Sequence, residues 1–368
     1  MIIIHSVILI LTFYLLAIIC DKYFVESLEQ ISNRLNISKE VTWATFMAIW
    51  SSAPELFTSI FALFAIFGSG NTESSIWAGT IVGSAIFNVL VIIWATAVVI
   101  KKNNAIKWKP IMRDLIFYSL TIGLLFFTFW DWAITFYETI IFVAAYILYI
   151  FVVKNWSKWL NYNDEDDVPD IEAWFEGKEE WVRTSYSWIW RLTTRVFDII
   201  IPNPKLWKSR FYRTFLVSIA LIAILSHFMV ESAVIVAKNF GIDQAIIGLT
   251  ILAAGTSIPD LISSIIVSRK WHGNMSISNA LWSNVFDILF GLWFVYFIYF
   301  LVYWIDATII VDKANLLLSI GLLFGSVMII LLFFLWYKWK LKKGLGWILI
   351  AIYITYLIFN ILTVRGVI

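Results

Sequence analysis

Three acidic residues lie within long apolar stretches of this chain, where ionisable side chains are rare. Glu55 and Asp260 fall in the middle of two such stretches, and Asp287 lies inside a third. An ionisable group in the middle of a membrane span costs at least about 2.5 kcal/mol, so it should face the bundle interior or water and carry function. Because no Lys or Arg lies at a matching depth, an ion pair is not available and the pattern favours a cation site.

Neutral oxygen-bearing side chains accompany these acids at helical spacing, so each helix presents several oxygens on one face. They are Ser51 and Ser52 before Glu55, Thr256 and Ser257 before Asp260, Ser84 before Asn88, and Ser283 before Asp287. Pro54 and Pro259 each remove a backbone donor, so the carbonyls near Ala48 and Ala253 are expected to turn toward the same site. Oxygen ligands without Cys or His suit hard cations such as Ca²⁺ or Na⁺.

The elements that position these residues are predicted to be membrane helices. The chain has 368 residues, 61% hydrophobic and 14% charged, with a mean hydropathy of +0.85. A soluble domain carries about a quarter charged residues, so a cytosolic enzyme, a disordered protein and a nucleic-acid binder are excluded. The single cysteine, Cys20, excludes a disulfide scaffold and a cysteine zinc site. The fold class is therefore predicted to be an all-α membrane protein.

Ten apolar runs reach the length of about 20 residues that a transmembrane helix needs. The predicted spans are 2–20, 40–67, 76–100, 112–129, 132–153, 211–236, 243–267, 276–303, 314–337 and 345–364. Of the 27 Lys and Arg residues, 24 fall in or beside alternate loops, and only Lys238, Lys313 and Arg365 lie on the other side. The excess of positive charge in cytoplasmic loops predicts a cytoplasmic loop at 154–210, both termini outside, and a plasma (inner) membrane location.

The chain contains an internal repeat. Val25-Glu26-Ser27 aligns with Val230-Glu231-Ser232, and Pro54-Glu55-Leu56 aligns with Pro259-Asp260-Leu261, both at an offset of 205. A second block, 83–89, aligns with 282–288 at an offset of 199. Five spans separate equivalent helices, so the second copy would cross the membrane in the opposite direction. This predicts two inverted five-helix repeats, 1–153 and 211–368, on either side of the loop 154–210, an arrangement typical of secondary transporters.

Four motifs carry a family resemblance: SSAPELFTS (51–59), GTIVGSAIFNV (79–89), GTSIPDLISSIIVSRK (255–270) and WSNVFDILFGL (282–292). They resemble the two alpha repeats of the cation/calcium exchanger superfamily, in particular potassium-dependent sodium/calcium exchangers and bacterial sodium/calcium antiporters. The resemblance implies a calcium-ligand pair at Glu55 and Asp260, with further ligands from Ser51, Ser52, Ser84, Asn88, Thr256, Ser257 and Ser283. It implies a secondary antiporter that exchanges Ca²⁺ for Na⁺ by alternating access, which is not an enzyme and needs no cofactor.

Asp287 bears on whether K⁺ is a third transported ion. The resemblance implies an asparagine here in eukaryotic exchangers that do not use potassium, although some prokaryotic relatives also carry an acid. Three ionised carboxylates supply a charge of −3, which Ca²⁺ plus K⁺ would balance. An unbalanced charge in a low-dielectric site costs several kcal/mol, but protonation of one acid would also restore balance. We therefore expect K⁺ to accompany Ca²⁺, and a proton-coupled Ca²⁺ antiporter is the alternative.

Five tryptophans stand where the other repeat copy or the family has glycine. They are Trp43, Trp50, Trp77, Trp271 and Trp282. Glycines at such positions allow close helix packing, whereas an indole would overpack the site. We hypothesise that the gene encodes glycine with UGA and that these codons are translated here as tryptophan. The alternative is a genuine sequence with a blocked site, in other words a non-transporting degenerate membrane homologue.

Overall fold

The computed structural model describes residues 2–34, 48–67, 76–100, 106–131, 133–160, 188–201, 211–242, 244–269, 273–304, 309–310 and 313–364. Up to the polar loop, the helices are α1 (Ile2–Ile19), α2 (Val25–Arg34), α3 (Ala48–Phe67), α4 (Ile76–Phe87), α5 (Ile93–Val99), α6 (Trp108–Thr128) and α7 (Phe136–Trp159). They are followed by α8 (Trp188–Ile200), α9 (Phe211–Phe240), α10 (Gln244–Ile247), α11 (Ala253–Thr256), α12 (Ile258–Arg269), α13 (Gly273–Phe286), α14 (Leu292–Tyr303), α15 (Lys313–Trp336) and α16 (Lys343–Val364). Two short strands, β1 (Ala133–Ile134) and β2 (Ile309–Ile310), pair antiparallel.

The described helices confirm an all-helical membrane protein. Eight of them are long and apolar enough to cross a membrane, and each coincides with a predicted span. The other two predicted spans hold Glu55 and Asp260. The span 40–67 begins outside the described residues and continues as α3, and the span 243–267 is divided into α10, a π-helical turn, α11 and α12. Asp260 therefore lies in an interrupted segment, whereas Glu55 lies in the continuous helix α3.

Local sequence explains the interruption beside Asp260. Ser257 ends α11 with φ −84° and ψ 4°, and its N–H is bonded to the Ala253 carbonyl at 3.2 Å. Pro259 is the second residue of α12, where a missing N–H costs no intrahelical bond. Pro54, in contrast, lies inside α3 and removes a hydrogen bond there. Pro54 thus weakens the helix that carries Glu55, whereas Pro259 marks the start of the helix that carries Asp260.

Two π-helical turns begin at predicted site residues. One, Asn88–Ile92, joins α4 to α5, and another, Asp287–Gly291, joins α13 to α14. Their first residues are 199 positions apart (287 minus 88), which is the offset of the second repeat block. A π turn inserts one extra residue into a helix and is frequent at functional sites. A third such turn, Gly248–Leu252, precedes α11.

The site segments meet at the centre of the bundle. The span formed by α4 and α5 is almost wholly buried, and α4 packs against α3 and against the turn before α11. Gly83 permits that second contact, since a Cβ on it would lie 2.5 Å from the Leu249 carbonyl oxygen and 2.7 Å from the Ala253 Cβ. α13 packs against α3, α6 and α12, while α1 runs along α9.

Three links join parts of the chain that are distant in sequence. β1, between α6 and α7, pairs with β2, between α14 and α15. Ile106, just before α6, donates its N–H to the carbonyl of Trp339, between α15 and α16, at 2.7 Å. Lys22, just after α1, forms an ion pair with Asp198 of α8 at 2.8 Å. The first two links each hold two connecting segments on the same side of the bundle, and the third holds α8 against the π-helical turn Cys20–Phe24.

Candidate cation site

The three acids converge from three elements. Glu55 comes from α3, Asp260 from the first turn of α12, and Asp287 from the first residue of its π turn. Their exposed fractions are 1%, 1% and 2%, so they are removed from solvent. The Glu55 carboxylate interacts electrostatically with both other acids, and Asp287 interacts with Asp260. Three carboxylates in one buried region repel one another, and a bound cation would relieve that repulsion.

Hydrogen bonds link the two predicted halves through Glu55. The Ser257 hydroxyl donates to Glu55 Oε1 at 3.1 Å, so the side chain preceding Asp260 in one copy contacts the acid of the other. The second carboxylate oxygen, Oε2, is buried and has no hydrogen-bond partner. One oxygen of Glu55 is therefore fixed in place and the other is available.

Asp260, like Glu55, has one carboxylate oxygen that accepts a hydrogen bond from the other half and one that is unpaired. Its Oδ2 accepts a hydrogen bond from Asn88 Nδ2 at 3.3 Å, while its Oδ1 is buried without a partner. The carboxylate also faces Ser51, Ser283 and Asn279. The structure thus brings oxygens from α3, α4 and α13 to the acid of α12.

Asn88 orients its amide so that the oxygen is unpaired. Its Nδ2 lies 3.1 Å from Ser283 Oγ and 3.0 Å from Asn284 Oδ1, in addition to its bond to Asp260. Its Oδ1 is buried with no hydrogen-bond partner. Since the nitrogen has three acceptors and the oxygen has no hydrogen-bond partner, the amide oxygen is the end left for a cation.

Most hydroxyl groups of the predicted set donate to a backbone carbonyl of their own helix. Four of them donate to the carbonyl three residues earlier in their own helix: Ser51 to Ala48 at 3.3 Å, Ser84 to Ile81 at 2.9 Å, Thr256 to Ala253 at 3.2 Å, and Ser283 to Ala280 at 3.3 Å. A hydroxyl that donates in this way keeps oxygen lone pairs for another partner. The carbonyls of Ala48 and Ala253, expected to face the site, accept these bonds.

Five buried oxygens of the predicted set have no hydrogen-bond partner. They are Ser52 Oγ, Glu55 Oε2, Asn88 Oδ1, Asp260 Oδ1 and Asp287 Oδ2. Buried polar atoms are paired in the great majority of cases, so a group of unpaired carboxylate, amide and hydroxyl oxygens matches the chemistry of a hard-cation site. Within the described part of the chain, no three His, Cys, Asp or Glu side chains are close enough to hold a metal by themselves. Neutral oxygens would have to complete the coordination.

Sequence reasoning missed Asn284, which crosses between the repeats. Its Nδ2 lies 3.1 Å from the Ala85 carbonyl oxygen and 3.1 Å from the Tyr118 hydroxyl, and its Oδ1 accepts from Asn88. Position 284 aligns with position 85 at the 199-residue offset, so a side chain contacts the backbone of its own counterpart. The only signal in the sequence was that Asn284, which carries a side-chain amide like Asn88, directly follows Ser283.

A buried basic side chain was also missed. Arg113, which the sequence places at the loop end of a span, lies in α6 with 3% exposure, and its Nε bonds to Asp114 Oδ1 at 2.8 Å. Its guanidinium carbon is 5.8 Å from the centre of the Trp282 ring. Arg113 is thus paired with its neighbour in sequence, an arrangement that helical periodicity does not suggest.

Among the five proposed glycine positions, the structure describes the side chain of Trp282. It is buried, and its indole N–H has no hydrogen-bond partner. An unpaired buried donor costs about 1–3 kcal/mol, so tryptophan fits this position poorly. Trp43 and Trp271 lie outside the described residues, and the side chains of Trp50 and Trp77 do as well. The recoding hypothesis stays a prediction.

Comparison with known proteins identifies relatives over nearly the whole chain. The model of the family described as "Sodium/calcium exchanger protein" matches residues 5–154 and 211–362. Sodium/potassium/calcium exchanger 2 of Gallus gallus is 29% identical over 98% of this chain and 77% of its own length. The Homo sapiens protein of the same name is 28% identical over 98% of this chain and 78% of its own length.

The fold is also found among solved structures. The sodium-calcium exchanger NCX_Mj, soaked with 100 mM Na⁺ and 10 mM Sr²⁺, superimposes with a TM-score of 0.56 at 19% identity, covering 96% of this chain and 98% of that one. The same exchanger, soaked with 2.5 mM Na⁺ and 0.1 mM Ca²⁺, gives 0.55 at 18% identity, covering 94% and 95%. At this identity the likeness concerns the fold.

Proposed function

Because the chain belongs to the sodium/calcium exchanger protein family, we propose that it is a secondary antiporter that exchanges Ca²⁺ for Na⁺. The observation that carries the proposal is the group of buried, unpaired oxygens between the two halves, two of them on Glu55 and Asp260. These acids would bind Ca²⁺ in one state and Na⁺ in the other. Since both ions need the same oxygens and repel each other, competition for the site couples the two flows.

K⁺ is proposed to move together with Ca²⁺. The relatives named above are called sodium/potassium/calcium exchangers, and this chain has an acid at Asp287. Asp287 interacts electrostatically with both other acids, so the three form one charged group. A charge of −3 is neutralised by one divalent and one monovalent cation, and neutralisation favours binding in a buried site.

Loop contacts support a tenth span that carries Asp260. Two loops in contact must lie on the same face of the membrane, so an even number of crossings separates them. Between β1 and β2 the chain contains α7, α9, the segment 244–269, and the helix of α13 and α14. The number is four if the segment 244–269 crosses and three if it does not. The hydrogen bond between Ile106 and Trp339 also requires an even number of crossings between them, and this number is even only if the segment 244–269 crosses.

The same reasoning supports a crossing by α3, which carries Glu55. The ion pair between Lys22 and Asp198 spans α3, the helix of α4 and α5, α6 and α7. These elements give four crossings with α3 and three without it. Ten spans would put the second five-helix half in the opposite orientation to the first. The excess of basic residues in alternate loops then favours a cytoplasmic loop at 154–210 and both termini outside.

Alternating access is proposed to involve α1 and α9. These helices pack along each other, and α1 covers the interrupted segment beside Asp260. Phe13 of α1 lies so close to Gly255 that a Cβ there would overlap its ring. A sliding movement of the pair across the other helices would expose the acids first to one face and then to the other.

Sodium-gradient-driven uptake of ⁴⁵Ca²⁺ tests the proposal. Purified protein in Na⁺-loaded vesicles should accumulate Ca²⁺ when diluted into Na⁺-free buffer, and external K⁺ should increase the rate. Uptake that follows a pH gradient and ignores Na⁺ would select the proton-coupled antiporter. Absence of flux from both this sequence and a version with glycine at positions 50 and 282 would select a non-transporting protein.

A further inference from the structure

One face of α8 holds the C-terminal end of α1. Lys22 Nζ lies 2.8 and 2.9 Å from the two carboxylate oxygens of Asp198, and the Tyr23 hydroxyl lies 2.8 Å from Asp198 Oδ1. The same hydroxyl is 3.2 Å from the Thr194 carbonyl oxygen. Because Lys22 and Tyr23 are consecutive, α8 is clamped to one point of the chain just after α1.

Apolar packing extends this contact to α9. Ile18, Tyr23 and Ile201 form a buried cluster, and Val217 and Leu221 of α9 pack against it. α8 is therefore docked on the α1–α9 pair. A helix from the polar loop thus rests on the two helices proposed to slide.

The contact also reaches the apolar part of α1. The Tyr14 hydroxyl lies 3.3 Å from the Thr193 hydroxyl, and Tyr14 belongs to the candidate membrane span Ile2–Leu28. A helix that runs beside a membrane span meets lipid with the face turned away from that span. The contact of α8 with a candidate membrane span therefore favours lipid over bulk water as the surroundings of its outer face.

The outer face of α8 has the composition of a lipid-binding face. Arg195, Val196 and Ile199 lie within about 100° of one another on a helix, opposite the residues that contact α1. Among the described residues, Ile199 is 86% exposed and Val196 52%, and the Arg195 side chain is also exposed. Apolar side chains next to a basic one are typical of helices that lie in the membrane interface, where Arg extends its charge to the headgroups.

We propose that this outer face, defined by Arg195, Val196 and Ile199, binds anionic phospholipid of the leaflet on the α8 side. Val196 and Ile199 enter the boundary between headgroups and acyl chains, and Arg195 pairs with a lipid phosphate. Since the opposite face of α8 is fixed to α1 through Asp198, the bound lipid restrains the α1–α9 pair. A single basic residue near an anionic membrane surface strengthens binding to it about fivefold. The lipid contact does not depend on which ions the protein transports.

A fluorescent label at position 199 tests the lipid contact without measuring ion flux. The full-length Ile199→Cys protein is labelled with bimane, which leaves buried Cys20 unmodified. It is reconstituted with brominated phosphatidylglycerol or brominated phosphatidylcholine over the same series of mole fractions. Both lipids should quench the label, and phosphatidylglycerol should do so at a severalfold lower mole fraction. Adding Arg195→Gln should make the two lipids quench the label equally well. Adding Lys154→Gln, which removes an exposed charge at the end of α7, should leave the difference unchanged.

Three outcomes would overturn the proposal. Quenching by aqueous iodide but by neither lipid would place the outer face in water, where a soluble partner is the alternative occupant. Equal quenching by the two lipids in the parent would remove the anionic preference. Loss of the difference in both charge variants would assign it to general surface charge rather than to Arg195. If Ile199→Cys does not fold, position 196 is labelled instead, through Val196→Cys. None of these outcomes tests Ca²⁺ exchange, so the lipid contact and the transport proposal can fail separately.

Discussion

Replacement of Glu55 by glutamine should abolish Ca²⁺ transport and leave the fold intact. Glutamine has the same shape, and its amide oxygen can still accept the 3.1 Å hydrogen bond from Ser257. The change removes one negative charge from three carboxylates that are each at least 98% buried. Folding should therefore tolerate the substitution, because mutual repulsion among the acids decreases when no cation is bound.

The loss in Ca²⁺ affinity follows from the burial of the site. Removing one partner from a buried charge pair costs about 3–5 kcal/mol, since the remaining charge is left uncompensated. At about 1.4 kcal/mol for each factor of ten, the affinity for Ca²⁺ should fall by roughly two to four orders of magnitude. Uptake at micromolar Ca²⁺ should then be indistinguishable from that of empty vesicles.

The assay is sodium-driven ⁴⁵Ca²⁺ uptake, with the amount of reconstituted protein equalised. Glu231→Gln is the matched control, because Glu231 lies on α9 with an exposed side chain and should keep the parent rate. A size-exclusion profile and a melting temperature close to the parent's would establish that Glu55→Gln is folded. If this folded variant transported Ca²⁺ within about twofold of the parent, Glu55 would not be a ligand and the proposed site would be wrong.

Four further predictions concern neighbouring residues. Asp287→Asn should remove the stimulation of Ca²⁺ uptake by K⁺ while Na⁺-dependent uptake persists; continued K⁺ stimulation would contradict the charge argument. Asn284→Ala should lower stability by about 1–3 kcal/mol, measured by thermal unfolding, because it leaves buried partners of Asn284 unpaired. Trp282→Gly should increase the uptake rate, and the gene should carry UGA rather than UGG at this position. Arg113→Met should destabilise by about 3–5 kcal/mol, and adding Asp114→Leu should restore most of that stability; no recovery would mean that the pair has other essential partners.

The charged part of the site could be predicted because its signals are local. An acid in an apolar stretch is conspicuous, and spacing of three or four residues places Ser51 and Ser52 on the face of Glu55. The internal repeat indicated that Asp260 is preceded by hydroxyl side chains at the same spacing as Glu55. Helical spacing and the internal repeat together indicated which side chains belong to one site. The structure places Ser257 beside Glu55 and Asn88 beside Asp260.

Other features depend on tertiary contacts and left no clear trace in the sequence. Asn284 is a neutral amide, and its role arises only where α13 crosses α4. A π turn adds one residue to a helix without a characteristic motif, so the turn at Asp287 was not expected. Lys22 and Asp198 are 176 residues apart, and periodicity within either segment does not reveal that they meet.

The amide of Asn88 has more acceptors than protons. Its two N–H bonds are shared among oxygens of Asp260, Ser283 and Asn284, so one acceptor is always redundant. When a cation draws the Asp260 carboxylate toward itself, Asn88 can give up that contact and remain fully bonded to the other two. Binding and release of a cation at the candidate site would then require no compensating rearrangement at Asn88, which keeps the free-energy difference between the loaded and the empty site small.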